Sequence, residues 1–310
     1  MPLQRSAASP ERAHIEGSVE GECLFARAAG SNLRILADNI WDYSRDDIPE
    51  AWRLIGEDPR DDVRAPQFAQ LVRAFMPDVL DLQEYSLHMH QRFYPLIRRY
   101  GYRIAYEGEE PWNNTPIFYN PETVELVDVN YVLYAPSCWS NIGSKSYTSA
   151  VFRKKDTGRL FAVVNTHLWW KSEAAQPGST YARAAQVRLM MAEAEVLKNK
   201  YGCTIFVTGD MNAYEDSLPI RQFIEGGYTP CYKAATDATD NGNGHHICGP
   251  KDGYSRTSRR RSPDREKGAI DHCFICNAQE GVAVKVFDCI TARFTVKLTD
   301  HYPYLIDAAL

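Results

Sequence analysis

The chain repeatedly builds a short apolar run and ends it on a hydrogen-bonding side chain. Leu33 to Asn39 stops at Asn39, Val79 to Glu84 at Glu84, Leu160 to His167 at His167, and Cys203 to Asn212 at Asp210 and Asn212. Two later runs carry the polar group near their start: Asp271 in Ala269–Ile275, and the pair Asp300-His301 in Lys297–Ile306. Runs of this length, rich in β-branched residues, have the character of buried strands. One Asp or Asn at a strand end is ordinarily a turn residue. Eight such groups at the ends of separate strands are harder to assign to turns, because a polar side chain beside an apolar run is costly unless it is paired or used. Strand ends of a layered protein converge on one edge, where chemistry is commonly placed.

The segments between these runs are helical. Phe68, Leu71, Val72 and Phe75 recur at helical spacing after Pro66 and before Pro77, which predicts a helix over 66–75. Further helices are expected over 88–100, 179–200 and 219–225, and residues 43–64 read as a long loop. Strands are expected at Arg103–Glu107, Ile117–Tyr119, Thr123–Leu133 and Val282–Phe287. Ser149–Lys154 and Arg159–His167 should form a hairpin around Asp156-Thr157-Gly158. With 310 residues and no visible linker or repeat, residues 31–310 read as one large domain. Residues 1–30 read as a polar tail with room for one edge strand near Glu22–Ala26.

Composition narrows the function. A formal charge of -5 argues against gripping long nucleic acid by bulk electrostatics. The eight cysteines are dispersed through a chain too large to need disulfide staples, and Cys273-Phe274-Ile275-Cys276 lacks the second pair a zinc knuckle requires. No run approaches the ~20 apolar residues of a membrane span, and the N-terminus lacks a secretory core, so a cytoplasmic protein is expected. His88 and His90, two apart on a helix, cannot share a face and read as surface residues.

Carboxylates with carboxamides make a hard-oxygen set suited to Mg²⁺ or Mn²⁺ rather than zinc. Histidines beside such a set supply donors for the oxygens of a phosphorus centre, which points to phosphoester hydrolysis. The partner expected is a phosphate-ester substrate, a small molecule or a single-stranded nucleic acid. No obligate protein partner is evident.

The sequence resembles the endonuclease/exonuclease/phosphatase superfamily of deoxyribonuclease I-like, metal-dependent phosphoesterases. The resemblance covers residues 32 to 307. It rests on Asn39-Ile40-Trp41, Leu82-Gln83-Glu84, Asn165-Thr166-His167-Leu168, Gly209-Asp210-Met211-Asn212, Ile270-Asp271-His272 and Thr299-Asp300-His301-Tyr302-Pro303, in the family's order. It implies a four-layered α/β/β/α sandwich of two packed mixed sheets flanked by helices. It also implies Glu84 as the main metal ligand with Asn39 and Asp300 in support, and Asp210 as the residue that activates water. Asn212 would hold that water or a phosphate oxygen. His301, held by Asp271, would stabilise the phosphorane, and His167 would donate from the other side. Asn114, Trp169 and Tyr119 are the candidates for substrate contact.

Three departures bear on substrate. His272 stands where the family usually has tyrosine, and Tyr147-Thr148-Ser149 where DNA-cleaving relatives often carry arginine. The tryptophan and arginine motifs of inositol phosphatases are absent around Asp210. The leading expectation is therefore a Mg²⁺-dependent phosphoesterase. A nuclease using Arg256, Arg259, Arg260 and Arg261 with Trp169 and Trp170 is the alternative. A sphingomyelinase-like phospholipid hydrolase with Trp112 and Trp169 at the membrane comes next, and an inactive scaffold last.

Overall fold

Alternating strands need two covers, and this chain supplies them as a second sheet on one face and helices on the other. A computed structural model of the chain describes residues 25–43, 58–108, 112–134, 145–238, 269–290 and 298–310, with the single positions 48 and 53. In chain order the elements are β1 (Leu33–Asn39), α1 (Asp61–Phe75), β2 (Val79–Gln83), α2 (Leu87–Arg98), β3 (Arg103–Ile104), β4 (Ile117–Tyr119), β5 (Val124–Leu133) and β6 (Ser146–Lys154). Then come β7 (Leu160–His167), α3 (Ser179–Tyr201), β8 (Thr204–Asp210), α4 (Leu218–Glu225), β9 (Thr229–Pro230), α5 (Cys231–Ala234), β10 (Asp237–Ala238), β11 (Asp271–Cys276), β12 (Ala283–Cys289) and β13 (Tyr304–Ala309).

The strands form a seven-stranded sheet, β10-β12-β13-β1-β2-β4-β3, and a six-stranded sheet, β5-β6-β7-β8-β11-β9. Both are mixed, with β1 parallel to β2 and β7 parallel to β8 inside otherwise largely antiparallel ladders. Three apolar layers follow from the period of two along each strand. Leu33, Ile35, Ala37, Val163, Phe206 and Ile306 meet between the sheets. Leu36, Leu80 and Leu82 point the other way onto Phe68, Val72 and Phe93 of α1 and α2. Val164, Ile205 and Val207 pack on Val187, Met190 and Phe223 of α3 and α4. The expected four-layered sandwich is the fold.

Register decides where the polar strand ends go. Asn39 pairs with Gln83 at the end of parallel β1 and β2, and His167 pairs with Asp210 at the end of β7 and β8. Asp271 opens β11 opposite Asp210, so its antiparallel direction brings it to the same end. Side-chain bonds lock the sheets together just below. The Thr208 hydroxyl donates to Asp81 at 2.7 Å, Gln83 donates to Asn165, and Tyr304 accepts from Gly209 N while donating to the His272 carbonyl.

Several local expectations change. The first helix starts at Asp61, not Pro66, because Arg64 is buried and donates to the carbonyls of Ile40, Trp41 and Leu298 and to Asp61, which fixes an extra turn. The last strand starts at Tyr304, not Lys297. Pro303 cannot donate to a ladder, so Asp300 and His301 lie in the preceding loop. The strand expected over 103–107 stops at Ile104, and that expected over 149–154 begins at Ser146. The proposed edge strand at 22–26 lies outside the described residues except for Phe25 and Ala26, which are not in a strand. Phe25 instead stacks on Phe75, and its N–H donates to Ala74. The arginines at 256 and 259–261 also lie outside the described residues.

Candidate active site

Each strand hands its polar residue to one end of the sandwich. Asn39 Nδ2 donates to Asp210 Oδ2 at 2.9 Å and to Glu84 Oε1 at 3.3 Å, which joins the first sheet to the second. Its carbonyl oxygen accepts from Trp41 N at 3.0 Å, and that N–H fixes which way round the amide sits. Asn39 therefore presents nitrogen, not oxygen, to the acidic pair. That amide nitrogen orients the Glu84 carboxylate.

Glu84 has φ of +55°, and Trp41 and Asn212 share this left-handed conformation at +55° and +47°. Side chains other than glycine adopt it at a cost, and such strain gathers where the surroundings over-determine the backbone. Here the surroundings are visible: the Glu84 carboxylate accepts from Asp42 N, and Asn212 N donates to Asp210 Oδ1 at 2.8 Å. The Asn212 side chain gives its N–H to the Leu168 carbonyl, so it ties the loop after β8 to the loop after β7.

Two histidines flank Asp210. His167 Nε2 lies 3.4 Å and His301 Nε2 3.9 Å from Asp210 Oδ2. His301 Nδ1 lies 2.7 Å from Asp271 Oδ2, and its Nε2 also lies 3.9 Å from Asp300. Burial alone would depress His301, but Asp271 first, then Asp300 and Asp210, hold its pKa well above the ordinary histidine value. Burial pushes Asp271 up, to about 7, against the pull of His301 at 2.7 Å, which favours its charged form. Burial would also raise Asp210, and His167, His301 and Lys145 overcome it, leaving Asp210 well below the usual carboxylate range and ionised.

Lys145 is the residue the sequence reading missed. It is 5% exposed, and its ammonium lies 3.0 Å and 2.7 Å from the two ring nitrogens of His167. An ammonium at that distance needs the ring as an acceptor, which an imidazolium is not. Burial and then the Lys145 charge lower the His167 pKa, in agreement. The expected arginine position, Tyr147–Ser149, holds no cation, and the charge enters one residue before β6 instead. Carrying the hairpin register Tyr147↔Thr166 two residues further would have placed Lys145 beside Leu168.

The substrate-side candidates divide. Asn114 donates to the carbonyl of Tyr85, next to Glu84, and its own Oδ1 is buried without a protein partner. Tyr119 pairs with Val79 at the far end of β2 and packs on Phe152, so the structure does not bring it to the cluster. Trp169 is 6% exposed with its indole N–H on Ser179, whereas Trp170 is 58% exposed. His272, in the usual tyrosine position, holds the Ala213 carbonyl at 2.7 Å. His90 lies against Tyr85 and Trp112 and is not a free surface histidine.

The donor set fits a divalent cation. Glu84, His167 and Asp210 bring ligand atoms within 4.8 Å of one another, as do Asp210, Asp271 and His301. Carboxylate oxygens dominate both groups, and the Glu84 carboxylate is one-quarter exposed, as an ion's entry requires.

Two mixed sheets packed face to face between helices, with acids and imidazoles gathered at one end, define a deoxyribonuclease I-like α/β sandwich. The chain belongs to the Endonuclease/Exonuclease/phosphatase family, whose model matches residues 51–301. Members of that family are phosphoesterases and nucleases that depend on divalent metal. Among solved structures, the chain is similar to an endonuclease/exonuclease/phosphatase from Bacteroides vulgatus, at 21% identity and TM-score 0.64, covering 90% of this chain and 98% of that one. It is also similar to a mannosyl-6-phosphatase from Bacteroides thetaiotaomicron, at 17% identity and TM-score 0.68, covering 90% and 100%. The human Nocturnin catalytic domain with bound sulfate gives 20% identity and TM-score 0.63, covering 91% and 96%. Among curated proteins no sequence matches the chain.

Proposed function

We propose that the protein hydrolyses a small-molecule phosphate ester with Mg²⁺ or Mn²⁺, and that residues 31–310 act as one catalytic domain. The observation that carries this reading is Asp210, ionised and buried between two histidines, with Asn39 linking it to Glu84. Glu84 and Asp300 would hold the metal. When bound, the ion supplies positive charge to the phosphoryl oxygens.

The side chains divide the rest of the work. Asp210 accepts a hydrogen bond from the attacking water and aims its lone pair at phosphorus, and the new P–O bond forms opposite the one that breaks. His301, kept protonated by Asp271, gives its proton toward the departing alkoxide. Lys145 and the neutral His167 donate to non-bridging oxygens from the other side. Because a mannosyl-6-phosphatase shares the fold, sugar phosphates are the first compounds to try.

The test is phosphate release from sugar phosphates, nucleotides, oligonucleotides and choline phospholipids, with Mg²⁺, with Mn²⁺ and with chelator. Turnover of a small ester that chelator abolishes supports the reading. No turnover of any compound with either metal overturns it.

A further inference from the structure

The loops leaving β7 and β8 bury their first residues and then expose an aromatic ring each. Trp170 follows His167 by three residues and so lies within about 11 Å of it along the backbone, and Tyr214 follows Asp210 by four, within about 14 Å. Both are large rings open to solvent at the catalytic end of the sandwich.

Trp170 is exposed, but the backbone that carries it is fixed. Arg183, buried near the start of α3, spends one terminal nitrogen on the two carbonyls that bracket it, Trp169 O at 3.1 Å and Lys171 O at 2.7 Å. Trp169 N is held by Gln186 at 2.8 Å, and the Trp169 indole is anchored on Ser179. The Lys171 ammonium lies over both rings, 5.8 Å from Trp169 and 5.7 Å from Trp170. A guanidinium committed to the backbone on either side of one exposed ring is the way a scaffold presets a contact surface rather than a solvated loop.

We propose that Trp170 is a preset stacking platform for the leaving group, selecting phosphate esters whose alcohol carries a ring, with Lys171 giving N–H donors to its oxygens. The proposal rests on the phosphoesterase reading and adds the substrate class. A pyranose offers C–H groups to the indole face and a nucleobase offers its own π face, so the shared chemistry is a leaving group that carries a ring.

The experiment is calorimetric binding, with Mg²⁺, to the catalytically disabled Asp210→Asn protein and to Asp210→Asn carrying Trp170→Ala or Trp170→Phe. The probes are mannose 6-phosphate, adenosine 5′-monophosphate and the acyclic glycerol phosphate. A ring ester is expected to bind about tenfold more tightly than glycerol phosphate, the preference falling below twofold with Trp170→Ala and surviving with Trp170→Phe. Whichever ring binds more tightly identifies the leaving group as sugar or base. Equal binding of all three probes by Asp210→Asn, or a preference that survives Trp170→Ala in a protein of native circular dichroism, overturns the proposal. Turnover by wild type is read separately and tests only the phosphoesterase reading.

Discussion

His301 Nδ1 and Asp271 Oδ2 lie 2.7 Å apart, both side chains buried, at the point where the loop before β13 meets the start of β11. The carboxylate keeps the imidazole charged in a place where burial alone would discharge it. Asp271→Asn removes that charge, so the His301 pKa falls toward its depressed value and the protonated form is lost at lower pH. The alkaline limb of the kcat profile is expected to move acidward, with kcat near neutrality down about 10²-fold or more. An unshifted limb, measured on the best phosphate ester, would remove His301 as the proton donor.

Lys145 carries the positive charge that His167 cannot. Lys145→Met is expected to lower kcat/KM about 10- to 100-fold, with Lys145→Arg recovering part of it. Nuclear magnetic resonance titration of His167 in the methionine variant should show its pKa rising, since one lowering influence is gone. No change in either quantity would mean the ammonium is only a packing neighbour.

Gly209 has φ of +141°, and a Cβ placed there would collide with the Thr166 carbonyl of the parallel partner strand. Backbone cannot yield as a side-chain tip does. Gly209→Ala should therefore force β7 and β8 apart beside Asp210, costing about 3 kcal/mol or more and abolishing turnover. Thermal melting checks the first part. A variant that melts with wild type and keeps its activity would contradict the geometry.

Asp81 sits between the sheets with one oxygen on Thr208 and the other without a protein partner, and burial raises its pKa to about 7 despite that bond. Its folded pKa is above the unfolded value, so its stabilising contribution is complete below about pH 4 and is lost as pH rises through about 7. Asp81→Asn cannot ionise. Between pH 5 and 8 its melting temperature should fall less steeply than that of wild type. Parallel curves would show that Asp81 does not titrate in this interval.

Much of this was legible in the sequence, for a physical reason. Asn39, Glu84, His167, Asp210 and Asp271 stand at strand termini, and strand length together with the direction of pairing sends those termini to one end. The rest depends on what strand period does not encode. Nothing in the Asn39 pattern says that Trp41 N claims its oxygen and turns its nitrogen toward Asp210. Lys145 needed hairpin register, not local pattern. Trp169 and Trp170 are alike in sequence, and only the Ser179 and Arg183 contacts from α3 decide that the first is buried and the second presented. Tyr119 lies in a strand that the sequence located well, but at its far end.

In the proposed mechanism Asp210 and His301 act together on one phosphate ester. The most direct test is single-turnover hydrolysis of the best small ester, with Mg²⁺, by wild type, Asp210→Asn, His301→Ala and the double variant. The expected result is a loss of about 10³-fold or more in each single variant, with the double variant little worse than the weaker single, as for groups that work as a unit. Single variants within twofold of wild type would contradict it.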